Sequence, residues 1–318
     1  MAAKVYGPGP LVRTAVVDIG TNSTRLLVAD VRSVGILTER VRRSVVTRLG
    51  DGLEAGGRLR PDARERVFGV VEDYAATIAG EGAERALAVM TSAVRDAADG
   101  REFAAELRER TGLDGRILSG DEEAALTFAG ATATRSADGL LVVDVGGGST
   151  ELVAAGFHAS LQVGVVRHGE RHLHDDPPAP AQLAALAADV RAAIAAAGVP
   201  DGLPVRELVA VAGTATSCAA IDLALTAYDT TRIEGHVLRR PTLEALRDRL
   251  AALPLSERRE VTGLHPDRAP VIVPGILILL EVLDHVGADA VVASDRDILH
   301  GVARTLAEGK IPRTGEPN

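Results

Sequence analysis

Apolar and polar positions follow two periods along this chain, which predict strands and helices in turn. Short β-branched or apolar runs at 86–90, 142–145 and 208–211 are typical of buried strands. Apolar residues three or four positions apart predict helices after Pro61, over 183–194 and over 242–253. We expect the first of these helices to end at Gly80. The pattern predicts an α/β protein.

The strand at 142–145 ends in a polar, glycine-rich turn. After Asp144 and Val145 come three glycines, Gly146 to Gly148, and then Ser149 and Thr150. Glycines leave backbone N–H groups free to converge on an anion and allow a positive φ. Asp144 is placed to hold a divalent cation or a water beside that anion. The turn predicts a phosphate-binding hairpin, and the alternative is an ordinary glycine hairpin.

An internal repeat favours the phosphate-binding interpretation. Residues 16–26 align with residues 142–152 at an offset of 126, and seven of the eleven positions are identical. A merely structural hairpin has no reason to repeat an aspartate, a glycine and a Ser-Thr pair in register. Two such loops facing each other would clamp a phosphate chain between two domains, where ligand sites are common.

Length and composition exclude several classes of protein. A chain of 318 residues is long enough for two domains, and its net charge of −9 argues against a general nucleic-acid binder. A single cysteine, Cys218, excludes an internal disulfide framework. Residues 1–10 lack the apolar segment of a signal peptide, and the run 271–280 is shorter than the about 20 residues of a membrane span. We therefore expect a cytoplasmic protein without a membrane partner.

The two repeated motifs resemble the paired phosphate loops of the actin and sugar-kinase superfold. More narrowly, they resemble those of the exopolyphosphatase/guanosine pentaphosphate phosphatase (Ppx/GppA) family, in its short two-domain actinobacterial type. The resemblance implies an α/β fold of two ribonuclease-H/actin-like lobes, each with a five-stranded mixed sheet, around an interdomain cleft. We expect the lobes at residues 1–126 and 127–297, with a C-terminal helix at about 298–318 returning to the first lobe.

The segment 119–124, Ser-Gly-Asp-Glu-Glu-Ala, carries the candidate general base. Ser119 and Glu122 have the spacing of a capping box, so Glu122 has a structural role available. The resemblance assigns the general base to Glu123. A carboxylate can take a proton from water and orient it for in-line attack on phosphorus, and a helix N-terminus favours its ionised form. The alternative is a surface glutamate in a first helical turn.

The resemblance also implies the residues that bind the substrate. The expected phosphate-binding residues are Gly20, Thr21, Asn22, Ser23, Arg95, Gly146, Gly147, Gly148 and Ser149. The expected cofactor is Mg²⁺, or another divalent cation, near Asp18, Asp144 and Glu151. For Arg95 the alternative is an ion pair with Asp96 or Asp99, beside a helix capped by Thr91 or Ser92. Gly169 stands where the family has a threonine, which leaves that threonine's role open here.

The resemblance implies Mg²⁺-dependent removal of the terminal phosphate from inorganic polyphosphate or from guanosine pentaphosphate. The sequence does not separate these two substrates, and a homodimer is an expectation from the resemblance alone. Two other functions stay open: a small-molecule kinase of the same superfold, and a sensor that binds polyphosphate or an alarmone without turnover.

Overall fold

The computed structural model describes residues 11–32, 36–200 and 205–310. Two sheets organise these residues into two α/β domains. The expected fold class is therefore confirmed. The termini of the predicted lobes, residues 1–10 and 311–318, lie outside the described residues.

The first domain is built on a five-stranded sheet of order β3-β2-β1-β4-β5. Strands β1 to β3 form an antiparallel meander, and β4 and β5 run parallel to β1. Its strands are β1 (Leu11–Ile19), β2 (Ser23–Arg32), β3 (Leu37–Val46), β4 (Arg85–Met90) and β5 (Gly115–Ile117). Its helices are α1 (Leu53–Gly56), α2 (Pro61–Glu81), α3 (Ser92–Asp96), α4 (Gly100–Thr111) and α5 (Gly120–Ala131).

The second domain repeats this topology around β6 and adds one strand. Its sheet has the order β10-β11-β9-β6-β7-β8. Its strands are β6 (Leu140–Val145), β7 (Thr150–Ala154), β8 (Phe157–Leu161), β9 (Glu207–Val211), β10 (Val237–Arg239) and β11 (Ala290–Ala293). Its helices are α6 (Val165–His172), α7 (Pro180–Ala196), α8 (Ala212–Asp222), α9 (Thr230–Ile233), α10 (Arg240–Ala251), α11 (Leu255–Arg258) and α12 (Ile272–Val286).

The expectation of five strands in each sheet is wrong for the second domain. The strands β8-β7-β6-β9-β11 repeat the order of the first sheet, and β10 is the sixth. It pairs antiparallel with β11 through three residues, Val237 to Arg239. A short antiparallel edge strand satisfies backbone groups that β11 would otherwise leave unpaired.

The amphipathic helix after Pro61 ends later than we expected. Helix α2 continues through Gly80 to Glu81, and Gly82 caps it in the left-handed conformation at φ 67°. Glycine is the residue that adopts this conformation without a steric penalty. Gly80 remains helical, since a glycine inside a helix weakens it without ending it.

A C-terminal helix, α13 (Ile298–Ala307), follows the last strand of the second domain and packs on the first domain. Its apolar side, including Ile298, Leu299 and Val302, packs on the face of the first sheet opposite to α2. It also crosses α5 at close range, because a Cβ on Gly301 would lie 1.8 Å from the carbonyl oxygen of Leu126. The boundaries at residues 126 and 297 stay predictions.

Each domain has its own apolar core, as the length of the chain leads one to expect. In the second domain α12 is buried along almost its whole length. It has 15 residues, and no helix among those the structure describes is long and apolar enough to cross a bilayer.

Candidate active site

The two repeated motifs form equivalent hairpins, one in each domain. The first connects β1 to β2, and the second connects β6 to β7. Each hairpin is closed by the same bond, from Gly20 N to Ser23 O and from Gly146 N to Ser149 O, both at 3.0 Å. The sequence repeat is thus also a repeat in the backbone structure.

The glycines of the hairpins are needed for space and not for a positive φ, contrary to our expectation. None of Gly20 and Gly146 to Gly148 has a positive φ. A Cβ on Gly147 would instead lie 2.7 Å from Thr21 Cβ, and a Cβ on Gly148 would lie 2.4 Å from Ser92 Oγ. The loops of the two domains therefore approach each other as closely as their backbones allow.

One cavity lies between the hairpins. Eight of the nine expected phosphate-binding residues line it: Gly20, Thr21, Asn22, Ser23, Gly146, Gly147, Gly148 and Ser149. The Nδ2 atom of Asn22 is buried there without a hydrogen-bond acceptor among the described residues. A buried donor without a partner is costly, so this atom marks a place for an anionic or polar ligand.

Glu123 lines the same cavity from the N-terminus of α5. The capping box forms as expected, with Ser119 Oγ accepting from Glu122 N and Glu122 accepting from Ser119 N. Burial raises the pKa of Glu123 to about 7, although Arg95 opposes that shift. The expectation that the helix N-terminus favours the ionised form is wrong in its net effect, because burial disfavours the charge more strongly.

Asp18 is paired on one side only. Its Oδ2 atom accepts from Arg25 Nε at 2.9 Å, while Oδ1 is buried without a partner in the part of the chain that the structure describes. Arg25 lies directly opposite on β2, and its guanidinium also bonds the carboxylate of Asp297. Asp18 thus retains one free acceptor atom at the cavity.

Asp144 and Glu151 occupy the same pair of positions in the second hairpin, but both are acidic. They are directly opposite on β6 and β7. Burial, with the neighbouring carboxylates as a further cause, raises the pKa of Asp144 to about 7 and that of Glu151 well above its usual range. Where the first hairpin neutralises its aspartate with Arg25, the second leaves acidic groups that a cation would stabilise.

The residues expected at the metal are only partly brought together. Asp18 and Asp144 line the cavity, whereas Glu151 does not and accepts a hydrogen bond from Ser160 Oγ at 3.1 Å. Among the described residues, no group of three or more His, Cys, Asp or Glu side chains is arranged to hold a metal ion. The free Oδ1 of Asp18 and the carboxylate of Asp144 fit Mg²⁺, which usually binds one or two carboxylates together with water and phosphate oxygens.

Arg95 does not line the cavity, unlike the other expected phosphate-binding residues. Its Nη1 atom donates to Glu123 Oε2 at 2.7 Å and to Leu118 O at 3.0 Å. The nearest oxygen of Asp96 is 3.8 Å away, and neither Thr91 nor Ser92 caps α3 through its side chain. The structure thus places Arg95 beside the candidate base, and within residues 11–32, 36–200 and 205–310 its Nη2 atom is buried without a partner.

Arg268 lines the cavity too, and the sequence analysis did not identify it. Its guanidinium lies against Gly213, where a Cβ would be 1.7 Å from Nη1. Burial and the nearby charge of Arg25 lower the pKa of Arg268. Gly213 and Thr214 line the cavity at the start of α8.

Comparison with known proteins identifies the family of this chain. The model of the Ppx/GppA phosphatase family matches residues 27–308 of the chain. The chain belongs to the Ppx/GppA phosphatase family. The resemblance seen in the repeated motifs is therefore confirmed.

Relatives within the Ppx/GppA family are similar over nearly the whole chain. Exopolyphosphatase 2 of Mycobacterium tuberculosis (strain ATCC 25618 / H37Rv) is 37% identical, with 93% of this chain and 99% of that protein covered. The crystal structure of an exopolyphosphatase-like protein is 34% identical with a TM-score of 0.87, covering 92% of this chain and 97% of the other. The Ppx/GppA family member of Aquifex aeolicus is 28% identical with a TM-score of 0.77, covering 95% and 100%.

Gly169, where the resemblance leads us to expect a threonine, lies in α6 outside the cavity. A Cβ at this position would make only an ordinary contact, 3.7 Å from Pro274 Cγ. The neighbouring His168 is buried, and burial lowers its pKa to about 4. Position 169 therefore does not belong to the cavity between the two hairpins.

Proposed function

We propose that this protein hydrolyses the terminal phosphoanhydride bond of inorganic polyphosphate. The observation that carries the proposal is the position of Glu123, a buried carboxylate with a pKa of about 7 in the cavity between both phosphate loops. A general base works best when its pKa lies near the working pH. The names of the relatives, which include exopolyphosphatases, support the same reaction class.

The chain's own residues supply binding and proton transfer. Backbone N–H groups of the two hairpins, the Asn22 amide and Arg268 would hold the phosphate oxygens. Glu123 takes a proton from water, whose oxygen attacks the terminal phosphorus as the P–O bond to the next phosphate breaks. The products are orthophosphate and a chain shorter by one phosphate. Positioning and charge supply most of the rate in such reactions.

Mg²⁺ remains part of the proposal. When bound, it would neutralise phosphate oxygens, and Asp18 Oδ1 and the Asp144 carboxylate are the groups that would hold it. Burial raises the pKa values of Asp144 and Glu123 and so favours their protonated forms. The positive charge of Mg²⁺ would oppose this effect and favour the ionised carboxylates.

Guanosine pentaphosphate is the second candidate substrate, and one observation favours it. A second cavity of about 610 Å³ adjoins the phosphate cleft and shares Arg25, Gly213 and Arg268 with it. Four arginines and four carboxylates line this cavity: Arg25, Arg42, Arg43, Arg268, Glu39, Asp267, Asp295 and Asp297. Tyr228, Val45 and Val46 also line it. The neutral base and ribose of guanosine would tolerate the four carboxylates, which would repel an extended polyphosphate, and the four arginines could pair with the 3′-diphosphate.

The test is phosphate release with Mg²⁺ from long polyphosphate, tripolyphosphate, guanosine pentaphosphate and ATP, offered in parallel. Glu123→Gln should lower turnover on the order of 10²–10⁴-fold, the usual contribution of a general base, with binding retained. Glu122→Gln is the matched control, since it changes the adjacent residue and keeps an acceptor for Ser119 N.

The four substrates also separate the remaining functions. Transfer of phosphate from ATP to a small acceptor, with no release to water, would indicate the kinase. Binding of polyphosphate or guanosine pentaphosphate without any release would indicate the sensor. Cytoplasmic location and a homodimer stay predictions.

A further inference from the structure

The first phosphate loop is held by the segment that follows β3. Asn22 O accepts from Thr47 N at 3.1 Å and from Arg48 N at 2.9 Å, and Thr21 O accepts from Gly50 N at 2.9 Å. Gly50 has no room for a side chain, since a Cβ would lie 2.2 Å from Thr21 Cγ2. Residues 47–54 and the first loop are therefore one tightly packed unit.

The second phosphate loop is held in the same way by α6. Gly146 O accepts from Val165 N at 3.0 Å, and Gly147 O accepts from Val166 N at 2.8 Å. A Cβ on Gly164 would lie 2.3 Å from Gly147 O. Helix α6 and the second loop therefore form a second tightly packed unit.

Arg167 on α6 ties these two units together. Its Nε atom donates to Gly148 O at 2.8 Å, its Nη2 atom donates to Asp96 at 2.6 Å, and its Nη1 atom bonds Glu54. Asp96 and Glu54 belong to the first domain, whereas Gly148 is in the second phosphate loop. The guanidinium therefore has one contact with a phosphate loop and two across the cleft.

Two further contacts run in parallel with Arg167. Arg171 also bonds Glu54, and the Glu170 carboxylate accepts from Gly52 N at 3.0 Å. Arg167 lines a separate cavity of about 230 Å³ beside the phosphate cleft but not the cleft itself. Because Arg167 lies outside the cleft in which we expect the phosphates, it suits a role through other residues and not as a phosphate-binding residue.

We propose that Arg167 is a positioning residue that sets the separation of the two phosphate loops, a role that rests on the proposed hydrolase function. The fork of a guanidinium holds two carboxylates and one carbonyl in fixed directions, which a single point charge does not. Without the contacts of Arg167, the two loops also occupy more widely separated arrangements. Only a fraction of the molecules then has the loop separation that binds substrate. The apparent affinity for substrate falls by that fraction, whereas turnover at saturation falls less.

The kinetic test uses Arg167→Gln with tripolyphosphate as the substrate. We expect KM to rise on the order of tenfold with a much smaller change in kcat, as the reduced fraction of closed molecules requires. Arg167→Lys should recover only part of the loss. The matched control is Arg64→Gln, because Arg64 is similarly buried and bonds carboxylates of the first domain only.

A distance measurement tests the same proposal without relying on activity. The only cysteine, Cys218, is buried, so spin labels at Glu109→Cys and Ala195→Cys report the separation of α4 and α7, where both positions are exposed. We expect Arg167→Gln to widen this distance distribution without ligand, and tripolyphosphate to narrow it again in a Glu123→Ala background. Glu54→Gln, which removes a shared partner of Arg167 and Arg171, should widen it as well.

The outcomes are distinct. A distribution in Arg167→Gln that matches those of the wild type and of Arg64→Gln overturns the positioning role, even if KM rises. A wild-type protein that releases no phosphate overturns the proposed function, while the distances still decide what Arg167 does.

Discussion

Glu123 Oε2 accepts a hydrogen bond from Arg95 Nη1 at 2.7 Å, and the pKa of Glu123 is nevertheless raised to about 7. Two opposing effects meet in this pair. Burial disfavours the carboxylate anion, and the adjacent guanidinium favours it. The result is a carboxylate that changes its charge near neutral pH.

The pH dependence of catalysis follows from this pair. A base must be ionised, so kcat/KM should rise with pH through a midpoint near 7, or below 7 to the extent that bound Mg²⁺ favours the ionised carboxylate. Arg95→Gln removes the charge that lowers the pKa of Glu123, so the midpoint should move upward. A shift of one pH unit would reduce activity at pH 7 about fivefold, with recovery at higher pH.

Arg95→Lys is the control, because it keeps a positive charge beside Glu123. A raised KM with an unchanged midpoint in Arg95→Gln would show instead that Arg95 acts by binding phosphate, as its place among the expected ligands implied.

Neutralising Glu151 should stabilise the protein above neutral pH. Its pKa is raised on folding, so the folded state keeps the proton over a pH range in which the unfolded state has lost it. Stability therefore falls as pH rises above about 4.5 through that range. Glu151→Gln should remove this loss and raise Tm at pH 8, by roughly 2–4 °C for each kcal/mol recovered.

Glu234→Gln provides the opposite case, measured by the same thermal unfolding at pH 5 and pH 8. Glu234 has a lowered pKa because Arg135, Ser294 and the Asp295 N–H bond its carboxylate, so its ionised form stabilises the fold. Its neutralisation should lower Tm at pH 8. Equal effects of the two variants would contradict the assignment of their pKa directions.

The contact between the phosphate loops should not tolerate a side chain at Gly148. A Cβ there would lie 2.4 Å from Ser92 Oγ, so Gly148→Ala should force the loops apart. A misplacement of reacting groups by about 1 Å costs on the order of 10²-fold in rate, so we expect Gly148→Ala to lose activity by about this factor. Steady-state phosphate release measures the loss.

Ser92→Ala in the same chain should restore part of the activity, since it removes the oxygen that clashes. Gly80→Ala is the control, because it adds a methyl group at an exposed helical position with nothing within 4 Å. Full activity of Gly148→Ala would show that the loops are farther apart in solution than the structure places them.

The crossing of α5 and α13 should be equally intolerant of a side chain at Gly301. A Cβ on Gly301 would lie 1.8 Å from Leu126 O, so Gly301→Ala should lower the free energy of unfolding by about 1–3 kcal/mol. Gly69→Ala, in open space on α2, should raise it by about 0.5–1 kcal/mol. Urea unfolding measures both, and a neutral Gly301→Ala would argue against close packing of these helices.

Local patterns were sufficient to predict the two hairpins and the capping box. The hairpins depend on residues within eleven positions of one another, and the Ser119–Glu122 bonds span three. Each is a short-range arrangement of backbone and side chain, so its pattern is visible in the sequence. The repeat then placed the loops in two domains, because a second copy of the same hairpin implies a second copy of the strand that feeds it.

Only the tertiary structure decided the charges of the site. Arg25 meets Asp297 across 272 positions of sequence, and Arg268 enters the cavity beside Gly213, 55 positions away. Burial also reversed the expected charge preference of Glu123, since the surrounding chain removes water from its carboxylate. Desolvation depends on every segment packed around a group, whereas periodicity and spacing describe only its neighbours along the chain.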